Sequence, residues 1–104
     1  MDSRIKTIAD HYGYEAQSRQ CMEECSELIQ AINKLWRAET FDRDEYEISD
    51  RCDKVIEEMA DVQITIWQMD YLVATDQLGL SPLKDVIDEK LERQMQRIKE
   101  ETNV

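Results

Sequence analysis

Residues that interrupt helices are nearly absent from this sequence. Its 104 residues include two glycines and one proline, and much of the remainder is Glu, Lys, Gln, Leu, Met and Ala, which favour helix. With 41% hydrophobic and 36% charged residues, the composition is unlike that of a disordered chain or a β-sandwich. The sequence predicts an all-α protein, and its length fits one domain, residues 1–104, around one core.

Apolar spacing and a few breaking residues divide the chain into four predicted helices. Gly13 ends the first and Gly79 the third, while Ser81 followed by Pro82 is a typical helix start. A connection is predicted over 38–49, where the apolar period is lost. The predicted helices run from about Ser3 to Gly13, from Tyr14 to Arg37, from a cap at Ser49 or Asp50 to Gly79, and from Pro82 to Glu101. We therefore expect a four-helix bundle.

The third predicted helix is apolar on nearly every side. Its sequence "VIEEMADVQITIWQMDYLVA", residues 55–74, has more apolar perimeter than three partners of this length easily cover. Part of it should therefore meet another subunit, and Trp67 and Tyr71 are expected in the core or an interface. We predict a homo-oligomer that associates through the buried helices.

The net charge of the chain limits which binding partners can be expected. A net charge of −11 would repel a nucleic-acid backbone and an anionic membrane, so neither is an expected partner. A small anionic ligand is compatible with this charge if a divalent cation accompanies it.

The cysteines form no C-x-x-C pair and are expected as reduced, buried thiols; they are Cys21, Cys25 and Cys52. The first residues contain no apolar run suited to a signal peptide, so a soluble, cytoplasmic protein is expected.

Two pairs of carboxylates occupy equivalent positions on the second and third predicted helices. At 100° per residue, Glu24 falls within the apolar arc of its helix and Glu27 at the margin, while Glu23 faces outward. Glu58 and Asp61 repeat this pair on the next helix. One pair with i, i+3 spacing is common on a solvated face, but two pairs on the faces that carry the core residues are harder to explain in that way.

Four carboxylates facing one another across two helices would repel strongly and lose their hydration. A cation between them would relieve both effects. Oxygen ligands alone suit Mg²⁺ or Mn²⁺, whereas zinc and di-iron centres normally include His or Cys. His11 is the only histidine and does not belong to a Glu-x-x-His motif. Magnesium is therefore the predicted cofactor, with manganese as the alternative.

The motifs "EECSE" (23–27) and "EEMAD" (57–61) resemble the E-E-x-x-E and E-x-x-D signature of the MazG-like all-α nucleoside triphosphate pyrophosphohydrolases. The stretch "HYGYEAQSRQCMEECSELIQAINKLWR" is similar to the first half of single-domain MazG-like proteins from bacteria and phages, and "KLERQMQRI" resembles the basic stretch on the family's last helix. Two features depart from the family pattern. Thirty residues separate Glu27 from Glu58, and Gln94 stands where relatives often have Asn.

This resemblance implies a MazG-like bundle that forms a homodimer or a dimer of dimers. It implies Mg²⁺ held by Glu24, Glu27, Glu58 and Asp61. The implied reaction cleaves the α–β phosphoanhydride of an NTP or dNTP to the monophosphate and pyrophosphate, which removes unwanted nucleotides from the pool. A carboxylate free of metal would orient the attacking water or take its proton, and Glu23 or Glu27 is the candidate for that role.

Several cations and amides are placed where they could contact a nucleotide. Lys54, one turn before Glu58, could bind a phosphate or simply offset the carboxylates. Gln17 and Gln20 lie on the face of Glu24 and could read a base edge. Cations at three-and-four spacing on the last helix could clamp a phosphate or pair with neighbouring glutamates; they are Lys90, Arg93 and Arg97.

Two other functions are compatible with the same residues. In the first, the protein is a non-catalytic helical oligomer, an adaptor or regulatory module, whose carboxylates merely pair with Lys34, Lys54 or Lys90. In the second, it binds a metal through carboxylates without any nucleotide chemistry.

Overall fold

The computed structural model of the protein describes residues 2–103 and contains three α-helices. The helices are α1 (Ser3–Arg37), α2 (Glu45–Met69) and α3 (Leu83–Thr102), and π-helical segments, Ala38–Asp42 and Asp70–Ala74, extend α1 and α2. Helix accounts for 88% of the structure, and no strand occurs in the described part. The all-α prediction is confirmed.

The prediction of four helices is wrong because the first two predicted helices join into α1. Gly13 lies within α1 with φ 83° and ψ 172°, a backbone region that is essentially restricted to glycine. The chain is therefore kinked at the predicted boundary, but the helix resumes at once instead of turning back on itself.

Helix α2 begins earlier than the sequence indicated. Asp44, rather than Ser49 or Asp50, caps it: the Asp44 carboxylate accepts hydrogen bonds from the second and third following backbone N–H groups, at 2.8 and 3.2 Å. Such a cap satisfies amides that have no partner within the helix. The predicted connection over 38–49 is therefore mostly helical, and only Arg43 and Asp44 separate the π-helical segment from α2.

At its other end α2 stops at Met69, well before Gly79, and continues as the π-helical segment Asp70–Ala74. Gly79 lies in the turn that follows, with φ 80°. The last helix begins one residue later than predicted, at Leu83 with Pro82 at the cap, and the Ser81 hydroxyl accepts a hydrogen bond from the backbone N–H of Leu83 at 3.2 Å.

Helices α1 and α2 pack against each other as an antiparallel pair with a thin core. The Tyr71 hydroxyl, just beyond α2, donates a hydrogen bond to the Asp10 carboxylate near the start of α1, at 2.8 Å, and this bond raises the pKa of Tyr71. The buried apolar residues are Ile5, Ala9, Ala31, Ala38 and Val62. Buried polar residues are almost as numerous; they are Gln17, Glu58, Thr65 and Gln68. The helix pair therefore encloses a polar layer.

Helix α3 projects away from this pair. None of its residues is buried, and it makes almost no contact with α1 or α2. The Cα radius of gyration is 17.9 Å, whereas a compact domain of this length has a radius near 13 Å. Residues 2–103 of one chain therefore do not form the predicted bundle of four packed helices.

The third predicted helix is also less enclosed than expected. Trp67 is 46% exposed and Ile56 is 64% exposed, so one chain covers only one side of α2. The prediction of buried cysteines is wrong: Cys21 and Cys25 are half-buried and Cys52 is exposed. No helix in residues 2–103 is long and apolar enough to cross a bilayer.

Candidate metal centre between α1 and α2

The antiparallel packing brings three of the predicted carboxylates together. Glu24 and Glu27 lie one turn apart on α1, and Glu58 faces them from α2. One carboxylate oxygen from each residue lies within 4.8 Å of the other two. We refer to Glu24, Glu27 and Glu58 as the carboxylate triad.

The triad contains buried oxygens without partners. Glu58 is only 3% exposed; its Oε1 accepts a hydrogen bond from Lys54 Nζ at 2.9 Å, while its Oε2 is buried and has no hydrogen-bond partner. Glu24 is similar, because Gln20 donates to its Oε1 at 2.6 Å and its buried Oε2 has none. Leaving a charged oxygen buried and unpaired is costly. The donor set, all carboxylate oxygen, fits Mg²⁺ or Mn²⁺ placed against these free oxygens.

The electrostatics of the triad favour a bound cation or a bound proton. The nearby Glu24 carboxylate raises the pKa of Glu27 above its usual value, and partial desolvation and the Glu58 carboxylate add to the effect. Two like charges at this distance disfavour the ionised form of each other. Glu27 therefore holds a proton more readily than an isolated glutamate, and a cation would replace that proton.

Lys54 provides part of the neutralising charge. Its ammonium group lies 2.9 Å from Glu58 Oε1 and 3.8 Å from Glu57 Oε2. The hydrogen bond to Glu58 is the main reason that the pKa of Lys54 lies above its usual value. One lysine nevertheless opposes three carboxylates, and the side chain of Lys54 is about half exposed, at 53%. Lys54 thus offsets the triad without neutralising it.

Asp61 and Glu23, the other two predicted carboxylates, do not join the triad. Asp61 is exposed and lines a cavity beside Glu24, and it is absent from the group of clustered oxygens in the described residues. An aspartate is one methylene shorter than a glutamate, so Asp61 reaches less far from the same backbone position. Glu23 is exposed, as the helical wheel predicted.

Two cavities flank the triad. One, of about 510 Å³, lies toward the start of α2, and we call it the Lys34 cavity; its lining includes Glu27, Lys34, Glu47, Arg51, Lys54 and Glu58. The other, of about 490 Å³, lies toward the start of α1, and we call it the Gln17 cavity; its lining includes Tyr12, Gln17, Gln20, Glu24, Asp61 and Gln68.

The amides predicted to read a base both line the Gln17 cavity but differ in environment. Gln17 is buried and donates a hydrogen bond to Gln68, also buried, whereas Gln20 is exposed and donates to Glu24. The sequence reading missed Gln68. Its signal is a polar residue three positions after the buried Thr65, on the face of α2 that meets α1.

The cations of α3 lie apart from the triad. Lys90, Arg93 and Arg97 are exposed and line, with Gln94, a cavity of about 130 Å³ formed by α3 alone. Because α3 does not pack on the helix pair, one chain does not bring these cations beside the carboxylates. The predicted clamp next to the metal is therefore absent from the single chain over residues 2–103.

Comparison with known proteins adds no relative: no family model, no curated protein and no solved structure matches this chain. The likeness to the MazG-like enzymes therefore rests on the sequence motifs alone.

Proposed function

We propose that this protein is a Mg²⁺-dependent nucleoside triphosphate pyrophosphohydrolase of the MazG-like kind, acting on the cytoplasmic nucleotide pool. The observation that carries the proposal is the carboxylate of Glu58, which is 3% exposed, has one oxygen without a partner and faces Glu24 and Glu27. Natural cores satisfy nearly all buried polar atoms, so a buried carboxylate oxygen without a partner supports a ligand at this position.

In this proposal Glu24, Glu27 and Glu58 would hold the metal, while Asp61, outside the triad, lines the adjacent Gln17 cavity. A bound Mg²⁺ would neutralise phosphate charge and lower the pKa of the attacking water. Glu27 is exposed at the rim of the triad and offers one oxygen to the cluster, so its other oxygen is the first candidate to accept a proton from water. Glu23, exposed on the neighbouring position, remains the second candidate for that role.

The proposal also includes self-association as a homodimer or dimer of dimers. The support is the apolar surface that one chain leaves uncovered: Trp67 of α2 and Leu91 of α3 are 46% and 53% exposed. A second copy could bring the α3 cations close to a triad, which one chain does not do.

The experiment that tests the activity is a panel of NTPs and dNTPs scored by pyrophosphate release. We expect the purified protein to release pyrophosphate and the nucleoside monophosphate in the presence of Mg²⁺, and to lose this activity with EDTA. Mg²⁺ or Mn²⁺ should also raise the melting temperature, because a ligand that binds only the folded state stabilises it. No pyrophosphate from any nucleotide, together with an unchanged melting temperature, would contradict the proposal.

One observation favours the second candidate, a non-catalytic helical oligomer. Lys54 and Glu58 form an ion pair at 2.9 Å. One carboxylate of the triad is therefore already paired with a lysine, as a purely structural role requires. In that case the protein would act as an adaptor or regulatory module.

A Lys54→Gln variant separates the two candidates. Without metal, we expect its melting temperature to fall by several degrees, because Glu58 loses the cation that offsets its buried charge. If the triad is a metal site, Mg²⁺ should restore most of this loss. If the carboxylates are structural, the loss should persist with Mg²⁺. Lys84→Gln, which removes an exposed lysine of α3, is the control and should leave the melting temperature unchanged in both conditions.

A further inference from the structure

The Lys34 cavity collects cations that the proposed chemistry has not used. Lys34 lies on α1 two turns after Glu27, and Arg51 lies on α2 two turns before Glu58. Both therefore stand about 10 Å along the helix axes from the triad, on the same side of it, and both line the cavity together with Lys54. The cavity thus places two cations beyond the carboxylates of the triad.

The two cations are available to an anion. Lys34 is exposed and makes no ion pair with any residue in the described range. Arg51 donates from Nε to Glu47 Oε1 at 2.8 Å, but both side chains are more than one-third exposed, at 38% and 39%. An exposed pair of this kind contributes little to stability, so Arg51 can exchange Glu47 for a phosphate, which its planar guanidinium binds by two hydrogen bonds.

Acidic residues in the lining of the Lys34 cavity oppose the binding of an anion without a metal ion. Glu47 and Asp50 also line it, and with Glu27 and Glu58 they outnumber the three cations. An anion should therefore enter only when the charge of the triad is neutralised by a divalent cation. A ligand that suits the cavity carries negative charge at the far end and metal-binding oxygens at the near end, as a polyphosphate does.

We infer that the Lys34 cavity binds the terminal phosphates of the substrate, with Lys34 and Arg51 as the residues that contact the departing pyrophosphate. This inference rests on the proposed function. In the reaction, the water oxygen forms a bond to the α-phosphorus and its proton passes to a carboxylate. The bond from the α-phosphorus to the bridging oxygen breaks, and its electron pair stays on the pyrophosphate, whose charge the two cations stabilise. Lys34 and Arg51 lie at a fixed distance from the triad, so only a nucleotide that carries terminal phosphates contacts them. The site therefore distinguishes triphosphates from monophosphates.

The test measures the binding of inorganic tripolyphosphate by calorimetry, with and without Mg²⁺. The wild type should bind it only with Mg²⁺. Lys34→Gln and Arg51→Gln should each raise the Kd about tenfold, as expected for the loss of a charge-assisted hydrogen bond. Glu47→Gln should instead lower the Kd severalfold, because it frees Arg51 and removes a repelling charge. Arg19→Gln, an exposed cation of α1 outside the cavity, is the matched control and should change nothing.

The same variants separate this inference from the proposed activity. In the pyrophosphate assay, Lys34→Gln and Arg51→Gln should raise the KM for triphosphates, while the rise in melting temperature caused by Mg²⁺ should stay as in the wild type. If the wild type releases pyrophosphate but these variants keep its KM and its Kd for tripolyphosphate, the cavity assignment is wrong and the activity stands. If the wild type releases none yet tripolyphosphate binding follows the expected pattern, the cavity assignment stands and the activity is wrong. Arg51→Lys keeps the charge without the fork and should give an intermediate Kd, which guards against a folding defect in Arg51→Gln.

Discussion

Replacing Glu58 by glutamine should abolish pyrophosphate release, with a loss of about 1000-fold, equivalent to ~4 kcal/mol of transition-state stabilisation. Glutamine keeps the shape of the side chain but removes the charge from the most buried member of the triad. The melting temperature of the variant should no longer rise with Mg²⁺. Without metal the variant should be as stable as the wild type or more stable, because the amide oxygen still accepts from Lys54 while the buried charge, which Lys54 only partly offsets, is gone.

Glu57→Gln is the matched control for this variant. Glu57 is the preceding residue of α2, has a side chain that is 71% exposed and lies outside the triad. It should keep both activity and the response of the melting temperature to Mg²⁺. Equal activity of the two variants would exclude Glu58 as a metal ligand, and a large loss of stability in Glu58→Gln without metal would favour the adaptor function.

The helical wheel anticipated much of the triad because burial of a helical side chain depends on its angle. It placed Glu24 and Glu58 inward, Glu27 at the margin and Glu23 outward, and the structure has these environments. It could not place Asp61, which has the same angle on α2 as Glu27 has on α1. Whether two such residues meet depends on side-chain length and rotamer as well as on angle, and the rotamer is set only when the two helices pack.

The fold was less predictable at its boundaries and in its tertiary arrangement. Gly13 was identified as a break, yet one residue in an unusual conformation kinks a helix without reversing it, so the helix count was too high. Asp44 is not recognisable as a cap from the sequence, because the apolar period of α2 begins only after Asp50. The position of α3 cannot follow from its own pattern, since an amphipathic helix needs an apolar partner but does not specify which chain supplies it.

Helix α3 carries an apolar stripe that is expected to contribute to self-association. At 100° per residue, Ile87, Leu91, Met95 and Ile98 lie within an arc of about 80°. They are 45%, 53%, 54% and 53% exposed. Helices in proteins are stabilised mostly by tertiary packing of an apolar face, and the exposed stripe of α3, with the uncovered side of α2, supplies the surface that the proposed oligomer would bury.

Leu91→Glu should therefore weaken self-association by about 100-fold, or ~2.7 kcal/mol. The substitution places a charge at the centre of the stripe that the oligomer would bury. Sedimentation velocity should find the wild type as a dimer or larger species and the variant mainly as a monomer, with a lower melting temperature. Gln96→Glu adds the same charge to α3 about 140° away from Leu91 and should remain associated. A monomeric wild type, or equal sedimentation of both variants, would mean that α3 does not contribute to the association. If the α3 cations complete the site of a second copy, dissociation by Leu91→Glu should also reduce pyrophosphate release, even though this residue touches no carboxylate of the triad.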